Sequence, residues 1–296
     1  MSSEGLQTQS SGEISVSKRT KTKNKQRWVD RFQVLFLSVL AILILLPIFY
    51  MISMSFRTRR EIMMDPLGLP SSLLIENYQK VAEAMNYGTS IFNTIFITAS
   101  VIVLVSILSS LAAYPLARIR HKLSTWLYIL LTLGLVIPPF AGLTPLYLFM
   151  RDLGLLNSYL GLIIAYTTLN LPLGVFFYTS FMKSVPIELE EAARLDGASY
   201  LKTYWYVVLP LLRPITGTLG LFITLTVWND IVYPLLFVTD DSKYTIMVAV
   251  VRFLGTYSID PTQLFPAAVL ASAPLLILFM LLQKQVVSGI TAGAVK

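Results

Sequence analysis

The stretch Ser184-Val185-Pro186-Ile187-Glu188-Leu189-Glu190-Glu191-Ala192-Ala193-Arg194-Leu195-Asp196-Gly197-Ala198, running on to Leu209-Pro210 and Pro214, is the longest polar interruption between apolar segments in the second half of the chain. Its local chemistry predicts two short helices joined by a sharp turn. Pro186 suits a first helical position, where no amide bond is lost. Glu188, Glu190 and Glu191 follow where a helix start favours negative charge. Gly197 can adopt the left-handed conformation that ends a helix. Ser199 can then cap a second helix, which Leu209-Pro210 is expected to close.

Outward from this bracket the chain is apolar. Of its 296 residues 55% are hydrophobic and 13% charged, against about 25% charged in soluble domains, so the sequence predicts an all-α integral membrane protein. It has no cysteine, which excludes disulfides and thiolate metal sites. The single His121 sits in a basic turn. A net charge of +7 is explained by basic residues crowding one side of a membrane and its anionic lipid headgroups, without nucleic acid.

Residues 1–31 are polar and read as a disordered, basic cytoplasmic tail, with Lys18, Arg19, Lys21, Lys23, Lys25, Arg27 and Arg31 leading into the first span. Six spans are expected, at about 32–52, 91–117, 125–149, 157–181, 215–238 and 264–282, within a membrane domain of 32–296. The first lacks a small-residue cleavage site and is read as uncleaved. Pro138-Pro139 interrupts the third span, and Asn170-Leu171-Pro172 lies in the fourth. Such breaks are tolerated where protein or a water-lined path satisfies the freed carbonyls. Of the 23 Lys and Arg, 16 fall in the tail, the turn at 118–122, the bracket and the C-terminal end. Both termini and the bracket are therefore expected in the cytoplasm.

No Gly-Lys dipeptide occurs, so the chain lacks a Walker-type phosphate loop and is not expected to hydrolyse ATP or to be an enzyme. It offers no metal-ligand spacing. Asp230 is the one acid inside an expected span, and burying it in lipid is costly enough that it should face the bundle interior, water or a partner. With Trp228, Asn229 and Tyr233 it forms a candidate substrate path, where a polar solute could be held by hydrogen bonds and by aromatic faces. The same residues would equally serve to tie helices together. Tyr166, Phe176, Phe177 and Tyr178 are further aromatic candidates.

The motif Glu191-Ala192-Ala193, Asp196-Gly197-Ala198, Leu209-Pro210, with Glu188 ahead of it, resembles the coupling loop of ABC importer permeases. Trp228-Asn229-Asp230 with Pro234, the segment Leu153 to Tyr159, the outer-loop residues Ser55-Phe56-Arg57-Thr58, Pro66 and Glu76-Asn77-Tyr78, and the tail Thr291 to Lys296 resemble the maltose-type carbohydrate subfamily, specifically the six-span partner of its permease pair. The resemblance covers about 33–296 and departs at Ile290 and in the long basic arm. It implies a type I importer transmembrane domain with a core at about 88–285, in a bacterial or archaeal cytoplasmic membrane. It also implies a homologous second permease, an ATPase homodimer that carries the ATP and magnesium, an external solute-binding protein and an oligosaccharide substrate. The loop at 184–214 would dock on the ATPase. A same-fold importer of a phosphorylated or acidic solute, and a stand-alone ion-coupled carrier or channel, remain alternatives.

Overall fold

The computed structural model describes residues 31–138, 140–256 and 260–294, with side chains described as far as residue 281. The basic arm, Pro139, Val295 and Lys296 lie outside the described residues. The regular elements are all helices, joined by turns and loops, and no strand occurs among the described residues. Four helices are long and apolar enough to cross a membrane: α1 (Arg31–Ser55), α4 (Tyr87–Arg118), α7 (Tyr159–Met182) and α14 (Pro261–Ala294), the last tested over Pro261–Leu281. A fifth crossing arises if the bent pair Tyr200–Leu211 and Arg213–Asn229 is taken as one span.

The region expected as the third span is broken. It consists of α5 (Lys122–Thr132), a 3-10 turn at Leu133–Leu135, a gap, and α6 (Leu143–Asp152). Pro138 lies in that gap, and the helix has already tightened and ended at Leu135, ahead of it. The fifth expected span also divides, into α11 (Arg213–Asn229) and α12 (Val232–Phe237). By contrast α7 runs unbroken through Pro172.

The core sits where α4, α7 and α11 meet. Ile97, Val101 and Val105 fall four residues apart on α4, as do Leu219, Ile223 and Val227 on α11, and all six are fully buried. Residues at this spacing share one face of a helix. They close on Leu162, Tyr166, Tyr178 and Met182 of α7. The α4–α7 contact is the most extensive in the molecule, and Gly174 permits it: a Cβ there would stand 2.2 Å from Ser109 Oγ and 2.8 Å from Ser109 Cβ. A smaller cluster joins α3 (Glu76–Ala84), α13 (Ile246–Thr256) and α14 through Val81, Met85, Ile246, Phe253 and Ala267. None of α1's most apolar window is buried.

At the end of the bundle away from the bracket, the outer-loop residues singled out in the sequence meet one another. Ser55 Oγ and Tyr78 OH lie 2.5 Å apart, and Asn77 Nδ2 donates to the carbonyls of Ser55 and Arg57. Buried Arg57 donates to the carbonyls of Glu61 and Asp65, closing over α2 (Arg59–Met64). Thr58 and Glu61 form a reciprocal cap at the start of that helix.

Gly174→Val should lower the melting temperature of the detergent-purified protein by an amount equivalent to about 1–3 kcal/mol, because Ser109 lies on a packed backbone and cannot withdraw. Gly217→Ala, where nothing stands within 4 Å of the added atom, should raise it slightly or leave it unchanged.

Candidate functional site

The bracket begins where α7 ends. The amides of Ser184 and Val185 return to Phe181 and Met182. α8 (Glu188–Leu195) carries three acids in its first turn and Arg194 in its last, in keeping with the helix dipole. Gly197 has φ +87°. The Ala198 amide reaches the Ala193 carbonyl and the Gly197 amide that of Arg194, both at 3.0 Å, which is the two-bond glycine cap of a helix C-terminus. Ser199 Oγ accepts from the Lys202 amide and starts α9 (Tyr200–Thr203).

One expectation needs correction. Pro186 stands two residues ahead of α8's first helical residue rather than on it. Leu209-Pro210 falls in the last turn of the second helix, which runs from Tyr200 to Leu211 and so ends one residue beyond the proline. That helix passes through a π-helical turn at Tyr204–Val208 into α10 (Leu209–Leu211), and the chain turns by 68° at Leu212 into α11. Pro214 occupies a helix-start position in α11, where a missing amide hydrogen leaves no bond unmade.

Glu188, Glu191, Ala192, Asp196, Gly197 and Pro210 are exposed, Ala193 and Ala198 half-buried, and Leu209 packs against the main core. The apolar side chains of this segment also face outward: Leu195 is 89% exposed, and Ile187, Leu189, Tyr200 and Leu201 stand open beside it. Arg194 lies over the Tyr200 ring at 4.9 Å.

Glu190 behaves differently from its neighbours, and sequence reasoning did not separate it from them. It is the one buried residue of α8, with 0% exposure. Arg118, at the end of α4, places Nε and Nη2 each 2.7 Å from Glu190 Oε1. Tyr114 OH donates to Oε2 at 3.0 Å, and Arg118 Nη2 also donates to the Val185 carbonyl. A carboxylate and a guanidinium out of water need such multiple partners to offset their desolvation. The available signal was Tyr114 and Arg118 at i and i+4 beside the bracket, a donor pair with no acid of their own. Between this end of α4, the start of α5 and residues 183–188 lies a polar cleft of about 590 Å³.

The second candidate site is a cavity of about 460 Å³ between the two broken segments. Gly134, Ile137 and Phe140 line it from the α5–α6 break, Asn229, Asp230 and Tyr233 from the α11–α12 break, and Tyr166 and Asn170 from α7. Three of the four expected path residues thus come together. Trp228 does not join them: it points to the other side of α11 and donates from Nε1 to the Ala271 carbonyl in the smaller core. Phe176, Phe177 and Tyr178 also lie outside the cavity's lining.

Asp230 holds the break together. It accepts from the amides of Val232 at 2.9 Å and Tyr233 at 3.3 Å, capping α12, and from Tyr166 OH at 2.7 Å. Asn170 donates to the Tyr166 carbonyl, and Thr226 donates to Asn170 Oδ1. Phe140 stacks on Tyr233, which meets Tyr166 edge-on. The lining offers ring faces, the amides of Asn170 and Asn229, the hydroxyls of Tyr166, Thr226 and Tyr233, and one carboxylate, with no Lys, Arg or His among the residues that form it. That chemistry suits a polyhydroxylated ligand. Thr226 and Phe140 are additions that the sequence did not single out, and Asn170, noted there only beside Pro172, joins them in the lining.

A family model described as binding-protein-dependent transport system inner membrane component matches residues 105–292. The melibiose/raffinose/stachyose import permease protein MelC of Bacillus subtilis is 38% identical, covering 77% of this chain and 83% of its own. The trehalose/maltose transport system permease protein MalG of Thermococcus litoralis is 34% identical over 87% of this chain and 94% of its own. Among solved structures, a bacterial ABC transporter involved in import of the acidic polysaccharide alginate aligns with a TM-score of 0.73 at 26% identity, covering 87% of this chain and 96% of that one. The fold is that of a type I ABC transporter permease, and the chain belongs to the family of binding-protein-dependent transport system inner membrane components.

Proposed function

We propose that this chain is a permease subunit of an ATP-driven importer of a neutral oligosaccharide. It works with a second, homologous permease, an ATPase homodimer that binds ATP and magnesium, and an external solute-binding protein. The observation that carries the coupling role is the bracket's inverted burial: α8 turns a carboxylate inward and leaves Leu189 and Leu195 in solvent, beside the exposed Glu191 and Asp196. An apolar patch rimmed by charge is the usual form of a docking surface. The six-crossing arrangement counts α1, α4, the broken α5–α6, α7, the divided α11–α12 and α14. The excess of Lys and Arg on the bracket side favours its placement, and that of both termini, in the cytoplasm, in a multi-pass bacterial or archaeal membrane.

The cavity beside the two breaks is the substrate path of this reading. Its rings and amides match a sugar, and the sugars for which the relatives MelC and MalG are named are neutral oligosaccharides. An acidic polysaccharide is the second reading, favoured by the alginate transporter. Asp230 weighs against it, because a like charge nearby repels an anion. The stand-alone carrier draws no support from the family.

In proteoliposomes holding the full transporter, Tyr233→Ala should raise the sugar concentration for half-maximal uptake by about tenfold, the loss of one ring contact and its shape. Trp228→Phe should leave that concentration unchanged and lower only the melting temperature, by about 1 kcal/mol equivalent. Equal effects of the two variants on uptake would remove the cavity from the path.

A cysteine introduced by Leu195→Cys should cross-link to the ATPase subunit in membranes. Gly197→Val, which forces a β-branched residue into the left-handed region at a cost of about 1–2 kcal/mol or more, should cut coupled uptake at least several-fold while the ATPase subunit still binds nucleotide. Maleimide labelling of Leu195→Cys from outside intact cells would reverse the orientation and end the coupling assignment.

A further inference from the structure

α8 is short, and no apolar face holds it to the body of the protein. Its one buried side chain is Glu190, and the cleft of about 590 Å³ separates the bracket's first arm from the start of α5. The second arm sinks Tyr204, Val208 and Leu212 into the main core, whereas the first arm is held to the spanning helices by polar contacts, and a row of three polar residues on α4 reaches both. Ser110, Tyr114 and Arg118 recur every four residues and so share one face. Arg118 and Tyr114 hold Glu190 of the first arm. Ser110 Oγ lies 2.7 Å from the OH of Tyr204, which is buried in the second arm, and the Tyr114 and Tyr204 rings are 5.5 Å apart. Both arms are therefore fixed to the same two turns of one helix.

The opposite end of α4 is fixed in the same manner. Buried Asn93 donates to the carbonyls of Ser242 and Tyr244, at 2.9 and 3.0 Å, and accepts from Tyr159 OH at 2.8 Å. Buried Thr94 accepts from the Ile246 amide at 2.9 Å. Between these pins Ile97, Val101 and Val105 are fully buried against α7. About 37 Å of helix separates Asn93 from Arg118, at 1.5 Å per residue.

We propose that α4 is a connecting rod. Glu190, Arg118 and Tyr114 are positioning residues that turn displacement of the bracket into displacement of the loop at 240–246 on the far side of the membrane, through Asn93 and Thr94. This rests on the reading of the bracket as the ATPase docking element, which supplies the input. The output is a change in the far loop each time the ATPase closes. Glu190 is fully buried, with Oε1 held by Arg118 Nε and Nη2 and Oε2 by Tyr114 OH, and Arg194 Nη2 of its own helix lies 3.9 Å from Oε2, so several bonds at once tie the carboxylate to α4.

The chain contains no cysteine, so one reporter can be placed at a time. In the reconstituted full transporter, Asp241→Cys reports maleimide reactivity of the far loop, with and without ATP. Leu195→Cys reports docking. Glu190→Gln should keep the Leu195→Cys cross-link and ATP hydrolysis. It should lower both sugar uptake and the ATP-dependent change in labelling at 241 by about tenfold, the loss expected from a charge-assisted hydrogen-bond set. Tyr114→Phe, which removes one hydroxyl and keeps the ring, should lower both in parallel by about threefold. It decides the matter if Glu190→Gln fails to accumulate. Joint reversal, Glu190→Arg with Arg118→Glu, should restore part of the labelling change lost in either single reversal. Uptake and labelling change at unaltered levels in Glu190→Gln, or in Tyr114→Phe where that variant decides, with the cross-link intact, would overturn the rod. Absence of the cross-link in the otherwise unaltered chain would instead overturn the docking reading, and the rod would lose its input.

Discussion

The close approach of α4 to α7 is the constraint on which the remainder depends. It exists because Gly174 leaves room for Ser109, and because Ile97, Val101 and Val105 present one uninterrupted face. In lipid, burying apolar area between helices yields little on its own, so small residues and matched surfaces must supply the packing. Once these two helices are set, α11 has a groove to enter, and both breaks in the spans come to lie around α7. The cavity and the bracket are then opposite consequences of one packing decision: α7 contributes Tyr166 and Asn170 midway along its length and opens the bracket at its end.

The two interruptions obey a common rule. Backbone freed at membrane depth must find a partner or a wet cavity. Asp230 supplies that partner at one break by accepting two amides of α12, with Tyr166 fixing its other side. The carboxylate is thus structural and cavity-lining together. Its dual use explains how an acid is retained within an otherwise apolar span, where its desolvation would be costly without such bonds.

The parts of the structure legible in the sequence were those governed by neighbours in the chain. Gly197 ends α8 and Ser199 begins α9 because caps are local chemistry. The parts that escaped depend on distant residues or on rotation about an axis. Glu188, Glu190 and Glu191 look alike in sequence, and only the arrival of Arg118 from α4 selects the middle one for burial. Adjacency in the sequence groups Trp228 with Asn229 and Asp230, yet successive helical residues point about 100° apart, and the tryptophan faces α14 instead. Pro138 marks the third expected span as irregular, but nothing local announces that the 3-10 turn ahead of the gap packs Gly134 against Pro172 on α7, where a Cβ would stand 2.6 Å from the ring. Leu209-Pro210 marks the end of the second helix to within one residue, and the π-helical turn at Tyr204–Val208 just ahead of it is the part that local sequence signals do not announce.

The first helix has a role of another kind. α1 buries nothing along its apolar window, and the knot around Arg57 anchors only its far end. A rod of this type is stable in lipid before any neighbour exists. With no core contact along that window, α1 can sit as an outrigger to the bundle, and the packing of the other helices does not have to be rearranged around it.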